Sequence, residues 1–185
     1  VTTARADQVS LELREWRPGS LEDLRDEYLG FLAARGASAL ERDGGPEHLT
    51  ASCFVLSPGL DRVLLCFHRK GRFWVQLGGH VEPGDASLAD AALREAREES
   101  GVADLRLLGH LPVDIDRHGL GSGFGRCSTH WDVGYAAVAD PDAPVAVSDE
   151  SDDVAWWPVD ALPDEVPPGF AARLGGALAG ARARA

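Results

Sequence analysis

Apolar residues recur along this chain in two rhythms, and the changes of rhythm divide it into elements. Between residues 20 and 36, Leu24, Tyr28, Leu29 and Leu32 fall at helical spacing. Ser20-Leu21-Glu22-Asp23 precedes them as a capping-box start, and Gly36 follows as a stop. The pattern predicts one amphipathic helix, packed on the main sheet or on a partner subunit. From residue 49 the chain turns β-rich. LTASCFVLS (49–57) and DRVLLCFH (61–68) are short runs split by Pro58-Gly59, which predicts a hairpin, and Phe73 to Leu77 predicts a third strand. Further on, Asp104 to Ile115, Thr129 to Ala139 and Val154 to Trp157 predict three more strands. Val159 to Leu162 reads as a short helical turn and Phe170 to Ala181 as a terminal helix, trailing into a frayed ARARA end. Strands alternating with a central helix give an α/β class. The expected organisation is a helical extension over 1–47, a main domain over 48–165, and a C-terminal helix with tail over 166–185.

Between the third and fourth of these strands lies Gly78 to Val102, GGHVEPGDASLADAALREAREESGV. It reads as a glycine-rich turn followed by a helix, with Ser87 and Asp90 as a second capping box. Glu95, Glu98 and Glu99 stand at i, i+3 and i+4, so three anionic side chains share one helical face. Like charges at that spacing cost a helix a few tenths of a kcal/mol per pair, a cost that a bound hard divalent cation would offset. The alternative is an exposed amphipathic helix with Ala91, Ala92, Leu93 and Ala96 on its apolar side.

The joined segment closely resembles the Nudix box, G-x5-E-x7-R-E-U-x-E-E-x-G-U, where U is a bulky aliphatic residue. Gly79 matches the leading glycine, and Arg94, Glu95, Glu98, Glu99, Gly101 and Val102 match the closing R-E…E-E-x-G-U. Asp85 stands where the family has its first glutamate, the stretch from Asp85 to Arg94 is one residue longer, and the first U is the small Ala96. Similarity extends over about 48–163 and includes E-x-x-x-V-x-W-x-P-x-x-x-L from Glu150 to Leu162.

The resemblance implies the family's α/β/α sandwich around a mixed sheet, here with an extra N-terminal helix. It also implies hydrolysis of a diphosphate linkage by water activated at Mg2+, with Mn2+ as a possible substitute. Glu95, Glu98 and Glu99 with the carbonyl of Gly79 are then the metal ligands. Glu98 or Glu99 serves as general base, with Glu150 as the candidate outside the box. Arg94 is expected to orient a box carboxylate, Asp85 to brace the loop–helix junction, and Glu82 to join the metal shell through water or to face solvent. The implied substrate is a nucleoside diphosphate derivative or related phosphorylated metabolite. Rival readings are an isopentenyl-diphosphate-isomerase-like enzyme, whose Cys and Glu signatures are not evident, and a non-catalytic nucleotide-binding module, which typically loses the box glutamates.

Two further groups are candidates. His68, Arg69 and Lys70, with Arg72, precede the strand entering the box and offer either a phosphate clamp or an ordinary hairpin tip. Asp114, Asp116 and His118 alternate on one strand, and His130 and Asp132 on the next. If those strands pair antiparallel, the two sets meet as a substrate pocket or an additional metal site, with His48 facing the same place. A solvated sheet face is the alternative. Trp74, Trp131, Trp156 and Trp157 offer either base-stacking surfaces or core packing. Gly119 to Gly125 reads as a lid or connector rather than a phosphate loop, since no Lys or helix pattern follows.

Composition fits a small enzyme. The chain has 185 residues and a formal charge of −12, from 18 basic and 30 acidic side chains. That balance argues against a nucleic-acid polymer or an anionic membrane as partner, and leaves a small phosphorylated substrate. Cys53, Cys66 and Cys127 match no zinc pattern and read as reduced thiols. With no secretory or bilayer-spanning run evident, a cytoplasmic setting is expected, as monomer or homodimer.

Overall fold

The computed structural model describes residues 3–120, 127–149 and 151–184. Glu150 and all but the first two residues of the Gly119–Gly125 loop lie outside the described residues. Among the described residues no helix is long and apolar enough to cross a membrane.

Two strands form the spine. β1 (Glu47–Leu56) and β7 (Thr129–Val138) run parallel in register along their whole length, from Glu47 opposite Thr129 to Leu56 opposite Val138. The other edge of β1 is shared. β4 (Leu77–His80) pairs antiparallel with Thr50 to Cys53, while β2 (Arg62–His68) pairs with Val55 and Leu56. β3 (Phe73–Val75) and β8 (Ser151–Pro158) both pair with β2, so the sheet is split between β2 and β4. On the far side, β5 (Arg106–Leu107) and β6 (Asp114–Gly119) pair antiparallel with opposite ends of β7. The sheet is mixed, as expected.

Helices cover both faces. One face packs against α1 (Thr3–Glu15), α2 (Glu22–Arg35) and α3 (Leu88–Ser100), with Leu49, Ala51, Cys53, Val133 and Tyr135 pointing into that core. The other carries Phe54, Leu56, Ala136 and Val138 under α4 (Phe170–Arg182). The alternation of buried side chains along β1 and β7 serves both layers at once, which is why both strands read as nearly continuous apolar runs. The α/β/α sandwich is therefore complete.

Several expectations need correction. Two helices, not one, precede the sheet. α1 buries Ala6, Val9 and Leu13 at helical spacing, but Leu11 stays 66% exposed and blurs the stripe. Ser20 does not cap α2, which follows a 3-10 turn over Gly19–Leu21 and has no side-chain cap. Ser87 does cap α3, its hydroxyl accepting from the Asp90 N–H, and Gly101 ends that helix at φ 70°. The single strand predicted over Asp104–Ile115 is two strands, because Gly109 (φ 92°) turns the chain before Pro112. Residues after Pro158 form a plain turn. The C-terminal end is anchored: Arg184 donates to the carbonyls of Leu111 and Pro112 at 2.5 and 2.7 Å. The tryptophans Trp74 and Trp131 are buried, Trp131 stacking on Phe31 at 4.5 Å, so they pack the fold.

β4 can approach β1 this closely only because Gly78 has no side chain. A Cβ there would stand 2.6 Å from both Cα and Cβ of Ser52. Gly78→Ala should therefore push β4 off β1 and destabilise the protein by about 1–3 kcal/mol in chemical denaturation; an unchanged midpoint would show that the contact is not needed.

Candidate active site

The site grows from the junction of β4 and α3. Gly79 lies on β4 with its open side toward α3, where a Cβ would come within 2.6 Å of the Glu95 carboxyl carbon. The absent side chain is the space that Glu95 occupies. One turn further along α3, Glu99 is buried at 6% exposure and accepts the Gly78 N–H at 2.7 Å. Glu98 lies between them with its side chain 60% exposed. The three carboxylates thus differ in environment, running from buried and anchored to open.

Arg94 holds this arrangement together. Its Nε and Nη2 grip the two oxygens of Asp85 at 2.9 and 3.0 Å, a bidentate fork. Nη2 also donates to the His80 carbonyl at 2.8 Å, and Nη1 to Glu95 and Glu98 at 3.0 and 3.1 Å. Asp85 in turn accepts the Glu82 N–H at 2.7 Å. Burial pushes the Asp85 carboxyl up, but Arg94 and the Glu82 N–H together hold it below the usual carboxylate range. Asp85 therefore lies at the loop–helix junction and faces Arg94. From outside, Arg5 of α1 donates to the carbonyls of Glu82 and Pro83 at 3.0 and 3.1 Å, tying the N-terminal helix to the same loop.

The donor set suits a hard divalent cation. Glu95, Glu98 and Glu99 offer only carboxylate oxygens, the ligand type that Mg2+ selects, and Gly79 leaves its side of the site free of side chain.

On the α4 face of the sheet a second polar group assembles. β6 and β7 pair antiparallel with Asp116 opposite Asp132 and His118 opposite His130, so the two alternating sets do meet. Asp132 is buried and accepts from Thr50 (2.9 Å), Ser52 (2.6 Å) and Gln76 (3.2 Å). Arg173, from α4, spans Asp114 at 2.6 Å, Asp116 at 3.1 Å and Asp132 at 3.5 Å. Burial raises the Asp114 carboxyl to about 6; Arg173 opposes the rise and the neighbouring Asp132 and Asp116 add to it. Beside this network His48, His80 and His130 crowd together. Burial lowers His80 to about 4 and His130 to about 3, neighbouring imidazoles and Arg42 adding to the effect.

The basic cluster lies at a hairpin tip. Arg69 and Arg72 both pair with Asp152, at 2.7 and 2.6 Å, and His68 Nδ1 accepts the Gly71 N–H. They form the tip of the β2–β3 hairpin, with Lys70 on the same tip, and Cys66, two residues before His68 on β2, brings its Sγ to 4.0 Å from Glu99. Sequence pattern alone does not single out His80, Arg173 or Arg5. His80 had a signal in its alternation with Gly78, which sets it on the face of His48. Arg173 had another, as a charge inside the otherwise apolar FAARLGGALAGAR.

Comparison with known proteins agrees with this architecture. The NUDIX domain family matches residues 46–175, and the chain belongs to the Nudix hydrolase family. A NUDIX-family hydrolase from Clostridium perfringens is 23% identical, over 71% of this chain and 96% of that one, with a TM-score of 0.58. A C. elegans Ap4A hydrolase is 18% identical over 73% and 98% of the two chains, with a TM-score of 0.59. An ADP-ribose pyrophosphatase from Streptococcus suis is 20% identical over 72% and 91%, with a TM-score of 0.53. These likenesses are of fold. No curated protein sequence matches the chain.

The raised Asp114 carboxyl gives a pH-dependent signature. Its folded form holds a proton more tightly than the unfolded chain does, so its contribution to stability is full below the ordinary value of 3.8 and is lost as pH rises through about 6. Carboxyl 13C NMR should show Asp114 titrating near pH 6, and higher still in Arg173→Met, where the opposing charge is gone. A midpoint at the ordinary value in both proteins would contradict the buried network.

Proposed function

We propose that this protein is a Mg2+-dependent hydrolase that cleaves a diphosphate linkage in a nucleoside diphosphate derivative or a related phosphorylated metabolite. The observation that carries the reading is the set of three α3 carboxylates beside β4: Glu95 against Gly79, Glu95 and Glu98 held by Arg94, and Glu99 held by the Gly78 N–H. Glu95, Glu98 and Glu99, with the Gly79 carbonyl, would hold Mg2+, or Mn2+ in its place. When bound, the cation neutralises charge on the non-bridging phosphate oxygens and makes water more acidic.

The chain's own residues divide the remaining work. Glu98 is the exposed carboxylate, and it is the general base in this reading. Water gives its proton to a Glu98 oxygen as its own oxygen attacks phosphorus. The bond from that phosphorus to the bridging oxygen breaks, and the leaving phosphate carries the bridging oxygen away. Glu99, fixed by the Gly78 N–H, and Glu95, fixed by Arg94, hold position during the step. Arg94 is a positioning residue, because its donors are occupied by protein oxygens. On the polar face, the residue we assign to substrate recognition is the half-exposed His118, while Asp132 is buried and holds Thr50 and Ser52 in place. The activities by which the similar Ap4A hydrolase and ADP-ribose pyrophosphatase are named support nucleotide substrates. His68, Arg69 and Lys70 would meet phosphates only if substrate reaches the hairpin tip. Cys53, Cys66 and Cys127, none of them in a disulfide, support a reducing, cytoplasmic setting.

The test is a panel of nucleoside triphosphates, sugar nucleotides, dinucleotides and prenyl diphosphates with Mg2+, with product analysis. One class should yield a monophosphate or phosphate product, and Glu98→Gln should lower kcat by about 100-fold or more at unchanged thermal stability. Conversion of an allylic diphosphate without phosphate release would instead indicate an isomerase. Saturable binding without turnover, indifferent to Glu98→Gln, would indicate a binding module.

A further inference from the structure

The histidines on the α4 face lie where strand pairing must bring them together. His48 on β1 stands in register with His130 on β7, and His80 on β4 pairs with Thr50, two residues along β1 from His48. With a period of two, Thr50 and His48 share a face, so His80 joins them. The ring centroids of His48, His80 and His130 are 5.0, 5.1 and 5.4 Å apart. One ring nitrogen from each falls within 4.8 Å of the other two.

We propose that His48, His80 and His130 form a binding site for a divalent transition-metal ion of the Zn2+ class, separate from the carboxylate site on α3. Three observations carry this. The donors are all imidazoles, which suit Zn2+ and its neighbours and are poor ligands for Mg2+. His130 Nε2 is buried with no hydrogen-bond partner, so a ligand lone pair is free without breaking an existing bond. His48 is only 1% exposed, a deep burial for an imidazole, and Cys127 Sγ lies 3.8 Å from both of its ring nitrogens.

Distances are compatible with closure. At Zn–N bonds of about 2.0–2.1 Å, nitrogens around one tetrahedral ion stand about 3.3 Å apart. The present spacing of up to 4.8 Å must then shorten by up to about 1.5 Å on binding. Three protein imidazoles leave one position for water or an anionic oxygen, the pattern of an open rather than a closed zinc site. His80 follows Gly79 directly, yet strand alternation sends the two to opposite faces of the sheet. The two sites therefore lie back to back across β4 and select different ions.

The test is Zn2+ titration of the metal-stripped full chain against a competing chelator in excess Mg2+, which keeps the carboxylates occupied. The parent should bind one equivalent, and Co2+ in its place should give visible absorption bands of low coordination number. His130→Ala and His80→Gln should each weaken Zn2+ by about 100-fold or more, while Glu98→Gln should leave it unchanged. His80→Gln keeps side-chain size and polarity, so it remains informative if His130→Ala fails to fold. The inference is overturned if no stoichiometric Zn2+ binds in excess Mg2+, or if binding survives both histidine variants. Loss of hydrolysis in Glu98→Gln bears on the proposed activity alone and leaves this result readable.

Discussion

Four carboxylates drawn together from the last turns of one helix and the loop before it repel one another, and in this protein a cation, Arg94, is built in among them. Asp85, Glu95, Glu98 and Glu99 all converge near the β4–α3 junction. Arg94 reaches three of the four and the His80 carbonyl besides. Each like-charge pair on α3 alone is a small cost, but together with partial burial they would splay the helix start from the strand. The guanidinium fork fixes both ends of that gap, because Asp85 belongs to the loop and Glu95 to the helix. Lysine, a point charge, would not span the two with the same geometry. The half-buried side chain of Arg94 thus sets where Glu95 and Glu98 point, and the buried Glu99 is set separately by a backbone N–H.

The second dependence is on backbone approach. β4 is short and carries two glycines in a row, each with its own task. Gly78 permits the strand to lie against β1, and Gly79 leaves room for Glu95. Because β4 takes only half of one edge of β1, the sheet is split there. The resulting molecule has two chemical faces on one strand: hard oxygen donors under α3, and imidazoles with buried aspartates under α4. α1 reaches across to the box loop through Arg5, so the N-terminal helices brace the site as well as cover the sheet.

Much of this was legible in residue order. The Ser87 cap and the Glu95/Glu98/Glu99 face follow from local periodicity, and the meeting of the β6 and β7 polar sets follows from alternation once those strands pair, whereas the Arg94–Asp85 fork needed the fold to bring loop and helix together. What was hidden depends on tertiary contact. α1 escaped because its stripe is narrow and Leu11 breaks it. The strand assumed over Asp104–Ile115 hid a turn at Gly109, whose positive φ no alternation pattern reveals. His80 looked like part of a turn, and only its pairing with β1 places it beside His48. Arg173 arrives from the far end of the chain, and no local spacing links it to Asp114. Glu150 lies outside the described residues.

The central claim is that the side-chainless Gly79 and the Glu95 carboxylate beside it form half of a divalent-cation cradle. Mn2+ binding followed by electron paramagnetic resonance in the parent and in Gly79→Ala tests it most directly. The added methyl would fall within 2.6 Å of the Glu95 carboxyl carbon, so the variant should bind Mn2+ at least about tenfold more weakly while its thermal stability stays near the parent's. Unchanged Mn2+ affinity in a folded Gly79→Ala protein would contradict the account.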